Sequence, residues 1–218
     1  MYLDADRNFP QPCLNFLKSK VNIETVIDIG VRQCTPYLMK AFPDKKHILF
    51  EIIIEWAETI KDRYKDFNYD LHTVGLSDTN EEKLQLVHEN HMPSSYNSLS
   101  TFFSRKLKYS TLDSIMTDEQ VPYLIKIDVD GDELKILTGA VSTISKATII
   151  IVEGRLHCTK ANMLKIMNAM FDLNFRLWDM FLPMYYGDDS KGQRLNDEGR
   201  LEQIELVFIS EAEYSRIL

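Results

Sequence analysis

A chain of 218 residues that is 44% hydrophobic can bury a full core, and its three cysteines, Cys13, Cys34 and Cys158, are too few and too scattered for a disulfide framework or a zinc site. A net charge of -8 argues against a nucleic-acid face, which needs clustered Lys and Arg to neutralise phosphates. No apolar run approaches the roughly 18 residues of a membrane span, and no basic stretch precedes an apolar core at the N-terminus, so a soluble, cytoplasmic protein is expected.

Leu14, Phe16 and Leu17 predict a short helix within an N-terminal extension, residues 1–22. Thr25–Ile29 (TVIDI) is β-branched and reads as a strand, Pro36–Phe42 as a helix, and His47–Glu51 (HILFE) as a second strand. Trp56, Ile60 and Tyr64 recur every four residues and predict a helix over 55–64. Tyr69–Leu76 is a third strand and Lys83–His88 an added ribbon piece, after which comes a polar segment. Tyr123–Val129 and Thr148–Glu153 are the fourth and fifth strands, separated by a helix that starts near Asp132. Met163, Ile166, Met167 and Met170 share one side of a helix over 161–171 and are expected to fill the core. Phe175–Asp179 and Ile204–Ser210 are the last strands, and the lack of helical sequence between them predicts an antiparallel hairpin. Strands alternating with helices give an α/β domain: a mostly parallel sheet with helices on both faces.

Ligands of such sheets gather at the carboxyl ends of the strands. Two runs place polar groups there. VIDIGVRQCTPYLMKAF (Val26–Phe42) sets Asp28 and then Gly30 after the first strand, and IKIDVDGDELKILTGA (Ile125–Ala140) ends the fourth strand in Asp128 and Asp130. No GxGxxG is present, which argues against a nicotinamide or flavin dinucleotide.

Both runs resemble signatures of the FkbM family of S-adenosylmethionine (SAM)-dependent methyltransferases, which read VxDxGANxGxxxxxxAxxF and IKIDVEGxELxVLKGA. The resemblance spans residues 24 to 155. It implies a Rossmann-like class I methyltransferase fold, a mostly parallel seven-stranded sheet with an antiparallel last strand, and SAM as cofactor. Carried over residue by residue, Asp28, Gly30 and Cys34 would surround the amino-acid part of SAM, and Glu51 would accept two hydrogen bonds from the ribose hydroxyls. Gly75, Leu76 and Ser77 of VGLSD would lie on the adenine side, and Asp128 beside the transferred methyl and the cofactor's amino group. Ser77 and Asp78 also suit an ordinary turn, and SSYNSL (Ser94–Leu99) an ordinary polar loop. Asp113 reads as structural. Departures from the family pattern include Arg32 for Asn, Cys34 for a second Gly, Ile52 for Pro and Asp130 for Glu. A Cβ at Cys34 would crowd the loop if the backbone there needed a positive φ.

Methyl transfer to a hydroxyl needs alignment and a base. The candidate catalytic residues are Asp128, Asp130 and His157, with Glu153 nearby; an imidazole of unshifted pKa near 6.5 suits neutral pH. The same groups would also suit Mg²⁺, a reading that stays open beside the metal-free one. Residues 182–202 form a long connection expected to serve as an acceptor loop, with Tyr185 and Tyr186 stacking on sugar rings and Asp188 binding hydroxyls. The expected function is O-methylation of a hydroxyl on a saccharide or another small acceptor, with no nucleic-acid partner. A weakened SAM-binding or partner-binding domain, or an enzyme using another nucleotide, is the alternative. Oligomeric state is not legible.

Overall fold

A computed structural model of the chain describes residues 10–88, 102–117, 119–129, 131–156, 162–185 and 201–218. Its strands are β1 (Thr25–Ile29), β2 (Lys46–Phe50), β3 (Tyr69–His72), β4 (Gly75–Leu76), β5 (Glu81–His88), β6 (Phe102–Ser110), β7 (Tyr123–Ile127), β8 (Ala147–Arg155), β9 (Phe175–Tyr185) and β10 (Leu201–Ser210). Seven of them form one sheet in the order β3-β2-β1-β7-β8-β10-β9. Strands β3, β2, β1, β7 and β8 pair in parallel, while β10 runs antiparallel to both β8 and β9. This is the mostly parallel sheet with a closing hairpin that the resemblance implies. TVIDI and YLIKI are buried at every position because helices cover both faces of a parallel sheet.

The helices are α1 (Pro10–Lys20), α2 (Pro36–Ala41), α3 (Ala57–Tyr64), α4 (Leu112–Ile115), α5 (Glu133–Thr138), α6 (Val141–Ile144), α7 (Met163–Asp172) and α8 (Glu211–Ile217). Alternation along each strand sorts the core into two faces. Ile27, Ile125, Ile127, Ile150, Val152 and Leu206 pack with Ile136 of α5 and with Ile166 and Met170 of α7. Val26, Leu124, Ile149, Ile151 and Val207 pack with Leu14 and Leu17 of α1 and Leu38 of α2. Met163 and Met167 pack against the first of these cores, so the methionines of α7 fill space as expected. Trp56, Ile60 and Tyr64 are buried together, although the first turn, Ile54–Trp56, is a 3-10 helix. Asp113 accepts hydrogen bonds from the Ser142 and Thr143 amides and so holds the start of α6.

Three expectations change. The predicted strand over 69–76 splits: His72 ends the main-sheet edge, and Gly75–Leu76 pairs in parallel with β6 in a second, three-stranded sheet. Gly75 suits that place, since a Cβ there would lie 2.4 Å from Ile52 and 2.7 Å from the Tyr109 ring. Strand β6 lies in the segment read as polar; it pairs antiparallel with β5, with Leu107 and Tyr109 buried and Lys106 and Lys108 exposed. A half-solvated antiparallel strand needs only alternate apolar positions, and the lysines hid them. The last hairpin is also longer than predicted: residues 182–185 and 201–202, assigned to a loop, are strand.

Candidate functional site

Four strands of the sheet carry a charged residue where their apolar row on the α1/α2 face reaches the carboxyl end of the parallel strands. Val26 is followed in the row by Asp28, Leu124 by Lys126 and Asp128, and Ile151 by Glu153, each two residues on. In the antiparallel β10 the order is reversed, and Glu205 precedes Val207. The register places Asp28 opposite Lys126 and Glu153 opposite Glu205.

Lys126 is the hub. Its Nζ lies 3.0 Å from Asp128 Oδ2 and 3.8 Å from Asp28 Oδ1. Burial disfavours its charge, but Asp128, Asp28 and Glu205 outweigh that and hold its pKa above the ordinary lysine value. Burial raises the pKa of Asp28 even against the pull of Lys126, and the Tyr64 hydroxyl donates to Asp28 Oδ2 at 3.5 Å. Glu205 is pushed up to about 8, first by burial and then by the neighbouring carboxylates, with Lys126 opposing. Tyr37 donates to its Oε1 at 3.5 Å, and Arg155 Nε lies 3.1 Å from Glu153 Oε2.

The opposite wall is built from the loops after β1 and β2. Gly30 adopts φ +83°, and a Cβ there would sit 1.7 Å from the Asp128 carbonyl oxygen, so only glycine lets β1 end against β7. Glu51 follows β2, and its two oxygens each accept an amide, Ile53 N–H on Oε1 and Arg32 N–H on Oε2, both at 2.7 Å. The carboxylate is thereby fixed, and burial raises its pKa. Besides Gly30, the left-handed residue of this loop is Arg32, at φ 55°, and not Cys34. The crowding anticipated for a Cβ at Cys34 therefore does not arise. The Arg32 guanidinium lies over the Trp56 ring, 5.7 Å from its centroid. Burial raises the Cys34 pKa, which keeps the thiol protonated.

Between these walls lies a cleft of about 840 Å³. Of the residues singled out in the sequence, Gly30, Cys34, Glu51, Gly75, Leu76, Asp128 and Glu153 line it. Asp28 and Ser77 are buried, at 0% and 1% exposure, and Ser77 bonds Asp78 Oδ1 and the Ser110 carbonyl. Asp130, His157, Tyr186, Asp188 and Ser94–Leu99 lie outside the described residues; Tyr185 ends β9, but its side chain is not described. Glu133, inside the second signature, is a loop staple: its Oε1 accepts the Gly131 and Val129 amides at 3.0 and 3.4 Å. The sequence reading missed Lys126, Glu205, Tyr37 and Arg155, all in the cleft lining. A charge interrupting an apolar strand, as in YLIKI and IELVF, is the signal that marks the first two. Among the described residues, no group of three or more His, Cys, Asp or Glu side chains is arranged to hold a metal ion.

Residues 28–177 match the methyltransferase FkbM domain, more than half of the chain. The chain belongs to the FkbM methyltransferase family. No curated protein matches it. A solved FkbM methyltransferase from Methylobacillus flagellatus KT is 17% identical with a TM-score of 0.55; the match covers 92% of this FkbM chain and 48% of that one. The chain thus spans about half the length of that relative. The N-methyltransferase NodS from Bradyrhizobium japonicum WM9 is 8% identical, with a TM-score of 0.53 and 94% of each chain covered. The magnesium protoporphyrin IX methyltransferase ChlM from Synechocystis PCC 6803, solved with bound SAM, is 8% identical, with a TM-score of 0.51, covering 91% of this chain and 76% of its own. At these identities the likeness establishes the class I methyltransferase fold of the FkbM chain. No helix among its described residues is long and apolar enough to cross a membrane.

Proposed function

We propose that this FkbM protein is a SAM-dependent O-methyltransferase acting on a hydroxyl of a saccharide or another small hydroxylated acceptor. One observation carries the reading: a single cleft with the clamped Glu51 carboxylate on one wall and the Asp128, Glu153 and Glu205 carboxylates on the other. The donor set suits SAM. Backbone amides of Ile53, Arg32 and Ile52 take up part of the Glu51 carboxylate's accepting capacity, and the remainder is open to a ribose hydroxyl. Asp128, with its side chain 32% exposed, is placed to pair with an ammonium. Ile52, Gly75 and Leu76 offer an apolar surface for adenine.

The cations of the lining are already engaged, Lys126 by two aspartates, Arg155 by Glu153 and Arg32 over Trp56. That speaks against the diphosphate of a dinucleotide, which calls for donors directed at it. Solved neighbours with SAM or S-adenosylhomocysteine (SAH) bound add support. When bound, SAM supplies a methyl carbon activated by its sulfonium. The chain's part is to hold the acceptor in line, exclude water and accept the hydroxyl proton. Asp130 and His157, with Tyr185, Tyr186 and Asp188, enter this reading as acceptor-side groups.

Isothermal titration with SAM, SAH and NAD tests the cofactor, and transfer of labelled methyl from SAM to a panel of mono- and oligosaccharides tests the acceptor. Heat with SAM and SAH but none with NAD, and base-stable label on a saccharide, are expected. Heat with NAD alone would overturn the cofactor, and label only on amines would overturn O-methylation.

A further inference from the structure

Glu205 lies on β10, beyond residues 28–177 that match the family and outside both signatures, yet it forms part of the cleft wall. We propose that Glu205 is the residue that takes the acceptor's proton during methyl transfer, with Tyr37 and Glu153 positioning it. The inference rests on the methyl-transfer reading above and gives Glu205 the role that the sequence alone offered to Asp130 or His157.

Geometry carries the assignment. Glu205 is 7% exposed; Oε1 accepts from Tyr37, and Oε2 has no hydrogen-bond partner among the described residues. A buried carboxylate oxygen without a donor is costly, and a ligand hydroxyl in the cleft would complete it. Glu153 stands directly opposite in the β8–β10 register, so the two carboxyl groups cannot both ionise cheaply. Glu153 is committed to Arg155, which leaves Glu205 as the member that exchanges a proton.

The charged and titratable groups facing Glu205 are Lys126 from β7 and Asp128 just after it, Asp28 from β1, Glu153 from β8 and Tyr37 from α2. Burial and these carboxylates raise its pKa to about 8, near the working pH of a general base.

The neighbouring strand is shaped to the same end. Between Gln203 and Glu205 the β9 partner advances from Met184 to Phe181, an extra residue, and Leu182 within this bulge takes φ 50°. Bulges of this kind re-aim side chains beside sites. Here Leu182 and Met184 both reach the cleft and form an apolar lip beside the carboxylate.

In the step, the acceptor oxygen bonds the methyl carbon as the carbon–sulfur bond breaks. The electron pair of that bond stays on sulfur, which becomes a neutral thioether, and the hydroxyl proton passes to Glu205 and later to solvent.

Sinefungin, which carries a primary amine where SAM carries its methyl sulfonium, tests the assignment without a known acceptor. Titration of the full chain at pH 8.5 should show sinefungin binding about tenfold tighter than SAH, the scale of one charge-assisted hydrogen bond. Glu205→Gln should remove that preference and leave SAH affinity within about twofold. In the wild-type chain the preference should fall about tenfold between pH 8.5 and 6.5 as Glu205 takes up a proton, a measurement that needs no variant. A preference that survives Glu205→Gln, one that is flat over that pH range, or none in the wild type would overturn the assignment. Failure of the wild-type chain to bind SAH at all would instead overturn the cofactor reading, and this inference with it.

Discussion

Lys126 and Asp28 are register partners on neighbouring central strands, and their charged ends meet at 3.8 Å where they are only 3% and 0% exposed. A buried cation that neutralises two or three carboxylates cannot be removed alone. Lys126→Met should lower stability by about 3–5 kcal/mol, because Asp28 would be left as an uncompensated buried charge. Adding Asp28→Asn should recover part of the loss. Urea unfolding of the two variants checks this, and equal midpoints would show that the pair is not coupled.

Glu51 should matter to SAM more than to the fold. Glu51→Ala removes the ribose acceptor and should weaken SAM binding by about 2–3 kcal/mol, the value of hydrogen bonds to a charged group. It also strands the Arg32 and Ile53 amides, so some stability is lost as well. Glu51→Gln keeps one acceptor oxygen and should fall between wild type and Ala in a titration with SAM.

Restoring the family's second glycine should not help. Cys34 does not occupy the left-handed region, so Cys34→Gly should cost roughly 0.5–1 kcal/mol through backbone entropy. Arg32→Asn acts at the position that is left-handed; it gains from the tolerance of Asn for that conformation but gives up the contact with Trp56. Terms of about 1 kcal/mol on each side should leave the melting temperature nearly unchanged. A higher melting temperature for Cys34→Gly would contradict this account of the loop.

Stability should decline as pH rises from about 5 to 8.5. The Glu205 carboxyl is raised to about 8, so between its unfolded and folded pKa values the native state holds more protons than the unfolded chain. The slope of unfolding free energy with pH is then negative. Asp28, Glu51 and Glu133 are raised by burial and act in the same direction. Glu205→Gln should flatten part of the decline, gaining about 1–2 kcal/mol relative to wild type at pH 8.5. Chemical denaturation at several pH values measures it.

The sequence by itself determined the sheet and the acids at the ends of its parallel strands. Parallel strands buried on both faces must be near-continuous apolar runs, so TVIDI, HILFE, YLIKI and TIIIV stand out in the chain. The acids at or just past the ends of these runs, Asp28, Glu51, Asp128 and Glu153, are found by reading to the end of each run. Strand β6 was hidden because, with one face solvated, its stretch after Phe103 shows Leu107 and Tyr109 among Arg105, Lys106 and Lys108. The left-handed residue after β1 could not be assigned from composition, since Arg32 and Cys34 are equally non-glycine, and the turn geometry alone selects Arg32. What only the tertiary structure decided is that Glu205 and Lys126 join Asp128 and Glu153 in one acidic wall. Glu205 lies 52 residues after Glu153 in the chain. The two meet because β10 inserts antiparallel beside β8, which brings an early position of the last strand to the late end of the others. Burial of that wall first, and then its neighbouring carboxylates, raise the Glu205 pKa, with Lys126 as the opposing counter-ion.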